Sequence, residues 1–122
     1  MDMKEGRETA VIGKQRLEAF SDGVLAVAVT LLVLDLHADP ASPDSLAAQL
    51  RQEWPSFVAY LVSFFIVGVI WINHHALFAL MARVDRLLMF YNLLLLLFVT
   101  TIPFTTSTLA SWLVAPTPAW RW

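Results

Sequence analysis

The sequence predicts an all-α protein that crosses a membrane several times, and three observations carry that prediction. Hydrophobic residues make up 58% of the 122 positions and charged residues only 15%, where a soluble domain of this size is usually about a quarter charged. The shortage is concentrated: positions 54–82 and 87–120 contain no Asp, Glu, Lys or Arg, and each stretch exceeds the roughly 20 apolar residues that a transmembrane helix needs. The basic residues between and beside those stretches gather on one side of the expected topology. Such a pattern excludes an ordinary soluble globule. The absence of cysteine and the abundance of apolar residues also exclude a disulfide scaffold, a collagen-like fibre and a disordered chain. A net charge of −2 and a pI near 5.8 give no support for nucleic acid as a partner.

The chain reads as one domain over residues 1–122, with spans at about 17–36, 56–80 and 87–113. The first span carries Asp22 and Asp35, yet its length of about 30 Å as a helix matches the hydrocarbon thickness. It follows sixteen mostly polar residues and exceeds the apolar core of a secretory signal, so it is not expected to be one. After it, Ser42 before Pro43 resembles an N-cap with proline at the first helical position. Leu46, Leu50 and Trp54 recur at four-residue spacing, which predicts a short interfacial helix over 44–54. The second span is entered through Trp54-Pro55. In the third, Pro103 stands among Thr100, Thr101, Thr105 and Thr106. The proline should kink the helix, with hydroxyls satisfying the freed backbone groups. Lys4, Arg7, Lys14, Arg16, Arg83 and Arg86 lie on one side of this topology, against Arg51 and Arg121 on the other. The excess predicts a cytoplasmic N-terminus. Trp54, Trp112, Trp120 and Trp122 then share the opposite interface, a level that amphipathic rings favour.

The first span holds the residues that are costly in a bilayer. A charge near the centre of a spanning helix is disfavoured by at least about 2.5–3.5 kcal/mol and tends to face protein or water. Arg16, Glu18 and Asp22 cluster at its cytoplasmic end beside Ser21. With residues about 100° apart and Asp22 at the origin, Arg16, Phe20, Gly23, Val27, Thr30 and Leu34 form one stripe between about 80° and 160°. Copies of this helix meeting around an axis would form a narrow pore. Val27 and Leu34 would supply hydrophobic rings and Thr30 a ring of hydroxyls. Plain helix packing uses the same small residues, and a buried threonine commonly bonds its own helix. Periodicity alone leaves both readings open.

The motif Arg16-x3-Phe20-Ser21-Asp22-Gly23, followed by Thr30-Leu31-Leu32-Val33-Leu34, resembles the first helix of the transmembrane protein 175 family. Trp54-Pro55-x-Phe57-x2-Tyr60-x2-Ser63-Phe64, Trp71-x2-His74-His75-x2-Phe78, and Arg86-x5-Asn92 with Pro103-Phe104 also look like that family. The likeness runs from about Arg16 to about Thr108. It implies a potassium-permeable channel, here of a prokaryotic cell membrane, with potassium as permeant ion and no cofactor. It implies that Arg16, Ser21, Asp22, Trp71 and His74 belong to a polar network at the cytoplasmic end of the pore helix. It also assigns Val27 to the narrow hydrophobic gate, Thr30 to the pore threonine and Leu34 to a further pore-lining ring. Gate residues of the family are more often Leu or Ile, so valine implies a slightly wider constriction. Prokaryotic members usually have six spans and assemble as homotetramers. This sequence carries three, as expected of a truncated form, a short member or one part of a split channel.

His74 and His75 diverge by about 100° on a helix and cannot grip one metal ion as an i, i+4 pair does. A hydrogen bond from one imidazole to another helix is the better reading, with Asp22 as the expected partner of His74. Protonation of such a pair would make a pH-sensitive gate. Asn73 and Asn92 are expected to make interhelical hydrogen bonds. Arg83, Asp85 and Arg86 read as a solvated loop cluster. No phosphate loop, nucleophile elbow or metal-spaced acidic pair is present, so an enzyme is not expected. No Thr-Val-Gly-Tyr-Gly filter occurs either, so selectivity would be modest. The combined expectation is a cation channel subunit that associates with copies of itself in the bilayer. Its rivals are a non-conducting membrane scaffold and a proton-coupled transporter using Asp22 and His74.

Overall fold

The computed structural model describes residues 2–114, which form five helices in chain order: α1 (Met3–Val33), α2 (Leu46–Gln52), α3 (Trp54–Leu80), α4 (Arg86–Thr100) and α5 (Ile102–Val114). The fold is all-α and multi-pass. Trp120, Trp122 and Arg121 lie outside the described residues, so the interfacial ring and the basic count that used them extend beyond the structure.

Helix α1 is longer than its apolar run. The expected span began at Leu17, but the helix starts at Met3 and runs unbroken into the apolar segment. Lys4, Glu5, Arg7, Glu8, Ala10, Lys14 and Gln15 are good helix formers, and no proline interrupts them. The helix also stops earlier than expected: Leu34 is its C-cap, its N–H donating to the Leu31 carbonyl. Lys14 Nζ donates to the Met81 carbonyl at 2.8 Å. Met81 is the C-cap of α3, so a cation meets a carbonyl at the negative end of that helix. This bond ties the polar part of α1 to the end of α3.

Two further boundaries differ from expectation. Helix α2 is capped by Ser45, whose side chain accepts from the Ala48 N–H at 3.3 Å, not by Ser42. Ser42 Oγ instead accepts from the Asp44 N–H, a local turn that holds Pro43 outside the helix. Trp54 opens α3 rather than closing α2, with Pro55 in the first turn. There its missing N–H costs nothing. Asp85, read as loop charge, is the N-cap of α4 and accepts from Leu88 N–H at 2.7 Å.

The third apolar run breaks where Pro103 requires. Helix α4 ends at Thr100 and α5 begins at Ile102. Thr100, Thr101 and Thr105 hydroxyls donate to the carbonyls of Leu97, Phe98 and Thr101 at 2.7–2.9 Å, so the hydroxyls around the break turn back onto their own helix.

Helix α1 packs against α3, α4 and α5, and α3 lies along α5. The core joins Leu25 and Ala28 of α1 to Val67 of α3 and to Leu96 and Val99 of α4. The side chains of Ser63 and Thr106 meet at 2.6 Å between α3 and α5. Trp54–Leu80 and the continuous run Arg86–Leu113 are long and apolar enough to cross a membrane, and only 17% and 22% of their most apolar segments are buried. The core helix of a soluble protein would bury most of such a surface. Here Phe65, Ile72, Phe90, Leu97 and Phe98 are exposed. Helix α1 falls short of the same standard because Arg16, Glu18 and Asp22 share its apolar half.

Candidate pore face and polar network

Helix α1 has two unlike faces. Ser21, Leu25, Ala28 and Leu32 follow one another at four-, three- and four-residue steps and are buried against the other helices, each no more than 2% exposed. That spacing is the inward stripe of an α-helix packed on one side. About 150° around the helix, Arg16, Phe20, Gly23, Val27, Thr30 and Leu34 are all exposed. The stripe read from the sequence therefore faces out of the subunit along its whole length. A Cβ added at Gly23 would meet no atom within 4 Å, so this glycine makes no close contact inside the subunit. Phe20, Gly23, Val27 and Leu31 line an open groove of about 460 Å³, with Thr100 of α4 on its far wall. Thr30 Oγ1 donates to the Val27 carbonyl at 2.9 Å. Its proton is thereby held by its own helix, and its oxygen lone pairs remain as acceptors.

Ser21 begins a buried chain of hydrogen bonds that crosses three helices. Its hydroxyl donates to the Leu17 carbonyl at 2.8 Å and accepts from Asn92 Nδ2 at 2.9 Å. Asn92 Oδ1 faces His74 Nε2 at 2.7 Å. With the amide nitrogen committed to Ser21, the oxygen must accept, so His74 carries its proton on Nε2. Ser21, His74 and Asn92 are all at most 5% exposed. His74 stacks on Phe78 with ring centroids 4.4 Å apart, and its Nδ1 is buried without a hydrogen-bond partner.

Asp22 belongs to a different set of contacts. Trp71 Nε1 donates to Asp22 Oδ1 at 3.0 Å. Trp71 also stacks on His75 at 6.0 Å, and His75 Nδ1 lies 2.9 Å from Glu18 Oε1. These four side chains join α1 to α3 at the surface, with Trp71 and His75 well exposed. The expected pairing of Asp22 with His74 is therefore corrected. His74 bonds Asn92, and the histidine that meets a carboxylate is His75, with Glu18. The reason is angular: Ser21 and Asp22 are adjacent and point about 100° apart, so only one of them can face the interior. Arg16 is exposed and stands outside both sets of bonds among the described residues.

Sequence reasoning placed Ser21, Asp22, Trp71 and His74 together, and the structure divides them between these two clusters. Asn92 was expected to bond across helices but not to be the residue that links Ser21 to His74. Asn73 is exposed and outside both clusters. The two imidazoles turn to different partners, and among the described residues no three His, Asp or Glu side chains converge as a metal site.

Residues 16–103 match the family described as "Endosomal/lysosomal potassium channel TMEM175". A potassium channel of Streptomyces collinus is 52% identical over 80% of this chain and 48% of its own length. An endosomal/lysosomal proton channel TMEM175 of Danio rerio is 40% identical over 75% of this chain and 19% of its own length. The crystal structure of a lysosomal potassium-selective channel TMEM175 homolog from Chamaesiphon minutus superposes with a TM-score of 0.79. It is 44% identical, and the match covers 85% of this chain and 57% of that one. The chain thus spans about half the length of the bacterial relatives it matches.

Proposed function

Because the chain belongs to the TMEM175 family of potassium channels, and hence to the membrane, we propose that it is a potassium-permeable channel subunit whose pore is lined by α1. Copies of the chain gather with Val27, Thr30 and Leu34 turned to a common axis, in a homotetramer. Helices α1, α3 and the broken α4–α5 rod are the three spans, and the N-terminus lies in the cytoplasm. Val27 forms a dewetting constriction, Thr30 a ring of oxygens that replaces part of the ion's hydration shell, and Leu34 a second apolar ring. Ser21 with His74, through Asn92, and Asp22 with Trp71 hold the cytoplasmic end of the pore helix in place, with Arg16 exposed beside them.

One observation carries this reading: the Val27–Thr30–Leu34 stripe is exposed in a subunit that buries the Ser21–Leu32 stripe on the other side of the same helix. A helix that packs with one face and presents small, polar and apolar residues in rows on another is shaped for assembly around an axis. The bonded hydroxyl of Thr30 supports it further, since its lone pairs are left to face a cation.

Potassium flux from liposomes containing the purified chain, together with its mass in lipid, tests the proposal. Thr30→Ala and Val27→Trp should each lower flux without changing the oligomeric mass. Wild-type flux in both variants would remove the pore assignment, and no flux from the parent chain would favour the non-conducting scaffold. A proton-coupled transporter through Asp22 and His74 has less support, because those two side chains sit in separate clusters. It requires flux that vanishes without a proton gradient.

A further inference from the structure

The first turns of α1 do not stand alone in solvent. They face the connection between α3 and α4 across a cleft of about 630 Å³, with Arg7 on one wall and Arg83 on the other. Both arginines are exposed, and among the described residues neither is in an ion pair. We propose that this cleft binds a phosphate monoester, gripped between the guanidinium groups of Arg7 and Arg83.

Four features support the site. First, charge on α1 is sorted by face. Taking Arg7 as origin at about 100° per residue, Lys14 falls about 20° and Lys4 about 60° away, whereas Glu8 and Glu5 fall about 100° and 160° away. The cleft side is basic although the segment as a whole is mixed. Arg86 opens α4 three residues after Arg83. Asp2 also lines the cleft and is the one carboxylate there, so a ligand carrying two negative charges is preferred over one carrying a single charge.

Second, two planar forks on opposite walls suit an anion whose oxygens point in several directions. Guanidinium groups hold phosphate oxygens in pairs, which a lysine cannot do. Third, the remainder of the cleft is apolar and open. Met3, Val11 and Ala82 line it, and a Cβ added at Gly6 would meet nothing within 4 Å. There is room for the organic part of an ester. Fourth, the cleft is fixed in place, because the Lys14–Met81 bond clamps α1 to the end of α3 just beneath it. That clamp lies at the end of a helix able to cross a membrane, the level at which lipid headgroups sit. Arg7 precedes the residues matched by the family.

The phosphate could belong to a lipid headgroup or to a soluble ester, and the test separates them. In one arm, phosphorus NMR of inorganic phosphate is followed as the detergent-solubilised chain is added. In the other, native mass spectrometry counts the phosphatidic acid and phosphatidylglycerol retained by chain drawn from vesicles holding equal amounts of each. Binding in the first arm assigns a soluble source. Preferential retention of phosphatidic acid in the second assigns a lipid source. In either arm Arg7→Gln and Arg83→Gln should each weaken binding about tenfold, and Arg7→Lys should recover only part. Gly6→Leu fills the cleft while keeping every charge, and should weaken binding as well. Circular dichroism and oligomeric mass confirm folding, which these exposed positions should leave intact. The proposal fails if neither arm detects binding, if the Gln variants bind like the parent, or if Gly6→Leu has no effect.

Discussion

The two faces of α1 share one backbone and do opposite things. The Ser21–Leu25–Ala28–Leu32 stripe is buried, bonded and packed into the core. The Gly23–Val27–Thr30–Leu34 stripe touches little within the subunit. Both are built from small and aliphatic residues, so hydrophobicity does not tell them apart. What separates them is whether neighbouring helices offer a matching surface: Val67, Leu96 and Val99 do so for the first stripe. The first stripe builds the subunit, and the second is left for whatever lies beyond it.

Substitutions that exchange the roles of the faces should therefore have unequal effects. The largest is expected for Leu25→Ala, which opens a void in the core and should cost about 2–5 kcal/mol. Val27→Ala, two residues on, should cost less than about 0.5 kcal/mol in the dissociated subunit. Reversible unfolding in mixed micelles measures both, and equal losses would erase the distinction. Ala28→Leu is next: the site is 1% exposed, and overpacking should cost about 1–3 kcal/mol by the same measurement. Asn92→Ala removes the link between Ser21 and His74 and should cost about 0.6–2 kcal/mol, whereas Asn73→Ala, on the exposed side of α3, should be silent. The smallest effect is expected for Gly23→Ala, with no loss of subunit stability. Its influence should appear only in the mass of the assembly or in ion flux, where close helix approach would be obstructed.

Much of this division could be read from spacing. Helical angle groups the residues of the outward stripe, though not what they face, and the missing N–H of Pro103 foretells a kink where α4 gives way to α5. The inward stripe was equally legible, since Ser21, Leu25, Ala28 and Leu32 keep a regular helical step. Partner choice was harder. Asp22, Glu18, His74 and His75 allow several pairings, and which one forms depends on how far α3 is rotated against α1. That rotation is set by packing at Val67 and Leu25, which no local pattern announces. The early start of α1 was visible in its helix-forming residues, but polarity made the segment look like a tail.

The continuity of α1 has a mechanical consequence. The helix contains no proline and runs as one rod from Met3 to Val33, tied to the end of α3 by the Lys14–Met81 bond. Arg7 lies about 10 Å to one side of that point and Val27 about 20 Å to the other. Because Ser21, Leu25, Ala28 and Leu32 anchor the far half of the rod in the core, the arginine and Val27 ride on one stiff element whose position the packing of the subunit sets.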